Sequence, residues 1–596
     1  MHDQAWGHHI ICLLYTSDAA DDCSALYGGP RLDHALKRLQ KMLNELTEWG
    51  RSCGLKFNPE KSIAVIFTRR RKQPPFALTI DGKEIEFKQE VKYLGITLDS
   101  KLHWTKHIND KIKRTKRYVS HIAQITRKNW GPKPKLMRWA YLGIVRPMLC
   151  YGAMIWGHRA PANEAKLRRI NRMAINTFGS FPKSTPTRAL EVMFDVMPLH
   201  LYCTQEGLAA RLRLDGVVSL DWSGKNTLKT HNTSHLRHWE TIMSEYEINT
   251  KHSDRCNQIK WSLGFRINRD SFNGDAKHRK PTQINVYTDG SRQNEQTGCG
   301  YAIYHGKRAL TEGFRRLPDH ATVFQAEITA ITQAAGHLQT ITDPKPRYVK
   351  FLVDSQAALM ALENPVIKSR TVSDAMDALN TLATSGVKTT LAWIPAHKGH
   401  LGNERADTLA KRGAAGVDPN MSVTLHKPTA MIKKDLTEKI YGDWSREWQD
   451  CGQANHAKTF YLTPNKTKAK YVYKLARLEA GRLVRIITGH NNLAFFQNKL
   501  GYQQDSQCRL CNQGPETITH LLNNCPRLRR CASEIFKNGL PSNNMEWSVR
   551  ALLEFSYVTG VNEMFEGEWN PDIPYSDTWS GDETGDDMLS DGSEEE

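Results

Sequence analysis

Four carboxylates and a histidine in the middle of the chain have the types and spacing to do chemistry. Asp289 lies in Asn285-Val-Tyr-Thr-Asp-Gly-Ser291, Glu327 in Gln325-Ala-Glu327, Asp354 in Leu352-Val-Asp-Ser355, and His397 stands ten residues before Asp407. Hard divalent cations such as Mg²⁺ take oxygen ligands, and two held together can clamp the attacking and leaving oxygens of a phosphodiester. Mg²⁺ and Mn²⁺ both accept all-oxygen sites, so the residue types leave that choice open. Each residue alone has a plainer reading. Asp289-Gly290-Ser291 is a common turn, Asp354-Ser355 can cap a helix, and Glu327 can be a solvated helix residue. Their joint occurrence, near strand ends and on helix faces, turns the balance towards a metal site.

The elements that must position them follow from local pattern. Val286, Tyr287 and Thr288 favour a strand ending at Asp289, with Gly290 permitting a turn. A second strand over 300–304 turns at His305-Gly306 into a third over 309–314. Phe324, Ile328, Ile331, Ala335 and Leu338 recur at helical spacing, with Glu327 beside that apolar stripe, where a carboxylate is costly unless paired or metal-bound. Val349, Phe351 and Val353 form a buried strand delivering Asp354 at its C-terminal end, where open α/β sheets place ligands. A strand through Leu391, Trp393 and Pro395 precedes His397. A helix starting at Gly402 or Asn403 sets Asp407 beside Ala406 and Ala410, small enough for close approach to a sheet. Residues 281–416 are thus expected to form an α/β domain with a mixed five-stranded sheet and helices.

This order of strands, helices and acids resembles the type I ribonuclease H family over about 130 residues. The resemblance implies that Asp289, Glu327, Asp354 and Asp407 bind two Mg²⁺ (or Mn²⁺) ions. His397 would assist product release or proton transfer. The implied reaction is hydrolysis of the RNA strand of an RNA–DNA hybrid, leaving a 5′-phosphate and a 3′-hydroxyl. Ser291, Gln356 and Asn403 are candidates for hybrid contacts, because a 2′-hydroxyl both gives and accepts hydrogen bonds. For Ser291 and Gln356 an equally good reading is a polar group of a turn and of a helix cap. The family's isolated basic protrusion has no counterpart between Thr371 and Lys388, a departure that bears on unaided affinity for substrate.

A second constellation lies further on. Cys508-Arg-Leu-Cys511 is followed by eight residues, His520, four residues and Cys525. Three thiolates and an imidazole so spaced close a tetrahedral structural Zn²⁺ site, with His520 and Cys525 supplied by the following helix. Cys531 is left over as a thiol. Ile487-Thr-Gly-His490 and Glu516-Thr-Ile-Thr-His-Leu-Leu522 resemble the C-terminal zinc module of non-LTR (LINE-type) retrotransposons. Arg527, Arg529 and Arg530 suit phosphate contacts, although a zinc staple that only stabilises a small unit is the plainer reading.

The N-terminal third resembles the palm and thumb of a reverse transcriptase from the same elements. Lys61 matches the lysine that protonates the pyrophosphate leaving group, and Tyr93-Leu94-Gly95 the primer-grip hairpin. Asp21-Asp22 stands where the family has Tyr-X-Asp-Asp, but Ala19-Ala20 precedes the pair. Cys12 to Asp22 also resembles an in-frame translation of a sequencing-library adapter, so residues 1–22 are set aside as an artefact or a truncated start. These departures imply that the chain does not polymerise. The resulting expectation is multidomain: a palm remnant over 23–100, a helical thumb-like region over 101–215 and a connector over 216–280. After the central domain come a basic helical region over 417–500, a zinc module over 501–535 and an acidic, largely disordered tail over 536–596.

Bulk properties agree with a nucleic-acid partner. The 596 residues carry a net charge of +19, although residues 563–596 hold thirteen Asp or Glu and no Lys or Arg, so the rest is more basic still. RNA–DNA hybrid, RNA and DNA are the expected partners. Twelve scattered cysteines point to a reducing intracellular compartment, nucleus and/or cytoplasm. The most apolar stretch, Trp139 to Gly157, contains Arg146 and Pro147 and so reads as a buried helix, with no membrane partner. The leading expectation is a hybrid-specific ribonuclease. The alternatives are a catalytically inactive nucleic-acid-binding remnant and an active RNA-directed DNA polymerase.

Overall fold

The computed structural model describes residues 9–15, 23–68, 77–126, 130–157, 161–214, 234–247, 253–260, 262–269, 283–342, 346–396, 398–416, 423, 425–535 and 544–561. Two compact units result, one from Leu208–Lys439 and one from Met1–Gly207 together with Ile440–Glu596.

The main sheet of the first unit is built from β1 (Phe265–Asn268), β2 (Gln283–Gln293), β3 (Gln296–His305), β4 (Arg308–Arg316), β5 (Tyr348–Val353) and β6 (Lys388–Trp393). The helices that pack around this sheet are α1 (Val323–Leu338), α2 (Gln356–Glu363), α3 (Arg370–Thr384) and α4 (Leu401–Ala415). The strands form one mixed sheet in the order β1-β6-β5-β2-β3-β4. β2, β3 and β4 run as an antiparallel meander, and β5, β6 and β1 extend it by parallel pairing. The expected five strands are therefore six. The extra one comes from the stretch read as a connector, whose alternation is too short to register as a strand. The same stretch contributes Arg255–Ile259, which pairs with Val366–Ser369. It also supplies Asp254, whose carboxylate accepts from the Thr371 N–H at 2.9 Å and its hydroxyl at 2.7 Å, at the start of α3.

In β2, Ile284, Val286 and Thr288 are buried and alternate with half-buried Asn285 and Tyr287. Ile284 and Val286 join Ile328, Ile331, Ala335 and Leu338 of α1, Leu359 of α2 and Met376 and Leu379 of α3 in one core. Fully burying an Ile or Leu stabilises by about 1.5–3 kcal/mol, which fixes the rotation of α1 and so the direction of Glu327. Thr322 caps that helix: its hydroxyl accepts from the Gln325 N–H, and the Gln325 side chain accepts in return from Thr322, each at 3.2 Å.

On the other sheet face α4 lies against backbone. A Cβ on Gly300 would stand 2.4 Å from the Ala410 nitrogen, and one on Gly298 2.0 Å from that of Ala414. Only glycine permits this approach. Gly300→Ala is expected to cost about 1–3 kcal/mol through overpacking and to displace the helix carrying Asp407. Denaturant unfolding of the full chain followed by circular dichroism checks this; an unchanged midpoint would refute it.

In the other unit, Cys23–Gly29, His9–Tyr15, Ile63–Phe67 and Glu86–Phe87 form a four-stranded sheet in that order. His9–Tyr15, in the segment set aside from fold reasoning, is paired on both sides and so belongs to the sheet. Helix Leu32–Ser52 packs on it through Leu32, Leu36, Leu39 and Leu43, the stripe expected from their spacing. Asp81-Gly82 and Leu94-Gly95 make hairpin turns, all four with positive φ. The stretch 139–157 is not one buried helix. Helical backbone from Pro134 to Cys150 is interrupted at Gly152 (φ 74), and Trp139 and Tyr151 are half exposed. No described helix is long and apolar enough to cross a membrane.

The thumb-like and C-terminal helices, read separately in sequence, share this unit. Buried Arg477 donates to the Thr177 carbonyl at 2.8 Å, and Glu447 contacts His200 Nε2 at 2.7 Å and Arg188 at 3.3 Å. The central unit interrupts them in the chain.

Candidate active site

Asp289 comes from the middle of β2. The strand runs on through Gly290 to Gln293, with Asp289 opposite Gly300 and Gly290 opposite Cys299, so Gly290 makes no turn. Its glycine has another cause: a Cβ there would stand 2.7 Å from the Glu327 nitrogen and 2.8 Å from the Ala326 Cβ. Helix α1 thus crosses β2 at backbone contact and sets Glu327 beside Asp289. Asp354 follows the last residue of β5, as expected. Asp289, Glu327 and Asp354 each offer a carboxylate oxygen within 4.8 Å of the others.

Three acids this close carry a large electrostatic cost. Burial first, then Asp354 and Asp407, pushes the Asp289 carboxyl up to about 7, against a backbone hydrogen bond from Gly290 and the charge of Lys411. Burial, then Asp289 and Asp354, raises Glu327 well above the usual carboxylate range. Glu327 Oε2 is buried without a hydrogen-bond partner. An orphaned carboxylate oxygen in an all-oxygen cluster fits a hard divalent cation, which supplies both the missing ligand and the compensating charge.

Asp407 stands outside the tight trio, its carboxylate 2.7 Å from Lys411 Nζ one turn along α4, yet it still acts on Asp289 through charge. Asn403, expected to touch substrate, is buried and donates from Nδ2 to Asp354 Oδ2 at 3.1 Å. It orients a carboxylate. Its place one turn before Asp407 is the sequence signal for that role. Trp393 Nε1 donates to the Asp354 carbonyl at 3.0 Å, which the strand pattern did not foretell. Ser291 lies two residues beyond Asp289 on the same face of β2, and Gln356 is exposed in the first turn of α2. His397, Asp21 and Asp22 lie outside the described residues. Lys61 is exposed at the end of the turn Pro59–Lys61. Three residues separate α3 from β6, leaving no room for a basic protrusion.

Because Asp289 and Glu327 titrate higher folded than unfolded, their ionised forms cost stability above the ordinary carboxylate range, and protonation relieves that cost. In chelator, stability should therefore rise as pH falls from about 7 towards 4. Asp289→Asn should stabilise the metal-free protein by about 1–3 kcal/mol at neutral pH. Thermal melts in chelator at pH 5 and 7.5 check this; a variant less stable than wild type at pH 7.5 would contradict it.

Residues 281–415 match the model of the RNase H family. That stretch is an RNase H domain. The chain is 28% identical over 164 residues to a probable RNA-directed DNA polymerase from transposon BS of Drosophila melanogaster, covering 27% of this chain and 18% of the relative. It is 29% identical over 178 residues to the RNA-directed DNA polymerase from mobile element jockey of the same species, covering 29% and 19%. The matches thus span about a fifth of these relatives. They bear out the resemblance to LINE-type retrotransposon polyproteins. A solved RNase H1 from Halobacterium salinarum is 23% identical, with a TM-score of 0.18, covering 22% of this chain and 96% of its own.

The second cluster is also assembled. Cys508, Cys511, His520 and Cys525 bring their donor atoms within 4.8 Å of one another, with Cys511 Sγ 3.2 Å from His520 Nε2. His520 starts a short helical turn, His520–Asn524, and Cys525 follows it. The Gln513 N–H donates to Cys511 Sγ at 3.4 Å. Burial raises the Cys508 thiol, pushes Cys525 up to about 12 and lowers the His520 imidazole. A coordinated cation inverts that order and holds thiolates. Cys531 lies outside the group and in no disulfide.

Proposed function

We propose that the RNase H domain hydrolyses the RNA strand of RNA–DNA hybrids in a two-metal reaction. The observation that carries this is the trio Asp289, Glu327 and Asp354 with the unpartnered Glu327 Oε2. These three, with Asp407, would hold two Mg²⁺ (or Mn²⁺) ions. The ions would supply Lewis-acid activation of the nucleophile and stabilisation of the leaving 3′-oxygen. The chain's own part is orientation: Asn403 fixes Asp354, and Gly290 lets α1 approach and donates to Asp289 and Glu327. Ser291 and Gln356 flank the acids and would sense the 2′-hydroxyls that distinguish RNA from DNA. Zn²⁺ would be held by Cys508, Cys511, His520 and Cys525 as a structural ion.

The test is incubation of the full chain with a hybrid labelled separately on each strand, with Mg²⁺ and then Mn²⁺. Cleavage of the RNA strand alone supports the reading. An intact hybrid in both metals, with a folded protein, refutes it and leaves an inactive binding remnant.

A further inference from the structure

Thr488-Gly489-His490, singled out in the sequence, has no part in the ribonuclease site. It lines a pocket of about 560 Å³ in the other unit, within the roughly 300–1,000 Å³ typical of small-ligand sites. Gly489 adopts φ 71 and ends the helix Arg477–Thr488. A Cβ there would stand 3.1 Å from the His456 ring, so glycine lets that imidazole close one wall.

The pocket holds two unsatisfied ring nitrogens. His456 Nδ1 stands 3.0 Å from the Ile487 carbonyl, so Nδ1 carries the proton and Nε2 is an acceptor, buried and without a partner. His490 Nδ1 is likewise buried and unpartnered. Burial lowers both imidazoles, and for His490 the charges of Lys499 and Arg172 add to the effect and bring it to about 4. His490 is therefore neutral at physiological pH, and burial disfavours charge on His456 as well. Each buried nitrogen calls for a hydrogen-bonding partner.

The surroundings narrow the ligand. Arg172 and Lys499 line the pocket, while the one lining carboxylate, Glu516, is fully buried and paired with Arg509. The net field is positive, which opposes a metal cation and favours an anion. The walls are aromatic as well: the His490 and Phe496 rings lie 4.6 Å apart, and Phe495 is 44% exposed. A ligand that is anionic overall, planar in part and furnished with in-plane nitrogen and N–H groups meets every one of these conditions.

We propose that this pocket takes one nucleotide, its base against the two imidazoles and Phe496 and its phosphate towards Lys499. Base–aromatic stacking and a phosphate-directed cation are the general means of holding an unstacked nucleotide. The proposal is independent of the ribonuclease reading, since it uses none of those residues. The nucleotide is either free or part of a single strand.

The test is photo-crosslinking of the full chain with 8-azidoadenosine monophosphate and with a single-stranded 12-mer carrying one 8-azidoadenine, mapped by mass spectrometry. The expected result is labelling within 452–456 or 487–499, competed by the unmodified counterpart of the probe (AMP or the plain 12-mer) but not by ribose 5-phosphate. Labelling by the mononucleotide identifies a free nucleotide, and labelling by the 12-mer alone a nucleotide within a strand. Lys499→Glu, at an exposed position that does not endanger folding, should weaken labelling about tenfold, as should His490→Leu. Labelling elsewhere by both probes, no labelling, or equal competition by ribose 5-phosphate would overturn the proposal.

Discussion

Replacing Asp354 by Asn is expected to lower RNA-strand cleavage at least about a thousandfold while leaving the fold intact. A metal-held transition state is stabilised by several kcal/mol, and each 1.36 kcal/mol lost costs tenfold in rate. The substitution removes charge but little else. Asn403 Nδ2 can still donate to the new amide oxygen at the position of Asp354 Oδ2, and Trp393 still reaches the residue 354 carbonyl. Loss of activity would therefore report the carboxylate and not a collapsed site. Asn403→Ala gives the graded comparison, because it frees the Asp354 carboxylate to rotate without removing it. An outer-shell partner of this kind typically costs 10–100-fold, so about that loss is expected, part of it recovered at high Mg²⁺. Initial rates on a labelled hybrid with the full chain separate the two variants. Cleavage by Asp354→Asn within tenfold of wild type would sink the assignment of this residue as a metal ligand.

The central acids were legible because they ride on strong local patterns. The apolar stripe of α1 set the face on which Glu327 would fall, and the run Val349 to Val353 delivered Asp354 at a strand end. What sequence could not supply were contacts between elements distant in the chain. Gly290 reads as a turn until α1 is seen crossing it, because nothing local distinguishes a glycine needed for φ from one needed for space. β1 is four residues long and is held by pairing with β6 about 120 positions later. The joining of the thumb-like and C-terminal helices rests on pairs such as Arg477 with Thr177, 300 residues apart. Periodicity has no access to such separations.

With Zn²⁺ held at the Cys508 cluster as proposed, its removal is expected to unfold that module. Its own apolar contribution is small: Ile518, Leu521 and Leu522 are buried there, at about 1.5–3 kcal/mol each before the entropy of ordering some twenty residues is subtracted. Structural zinc contributes roughly 10–16 kcal/mol in comparable small modules, enough to decide whether this one is folded. Its remaining ties are short: the Cys508 N–H donates to the Gly514 carbonyl at 2.8 Å, and Arg509 is held by buried Glu516, whose carboxylate also accepts from the Ala494 N–H at 2.8 Å. Without the ion, the buried thiols lose the charge that orders them. Cys525→Ser, or a strong chelator on the wild type, should therefore expose Arg509 and Arg527 to trypsin at least tenfold faster, with loss of one zinc per chain by elemental analysis. The helix Arg477–Thr488 should resist in the same digest, because its core of Leu483, Val484 and Ile487 does not depend on the cluster. Cleavage at Arg509 that is no faster after zinc removal would show that the module is held by packing alone, and the four ligands would then have no structural role.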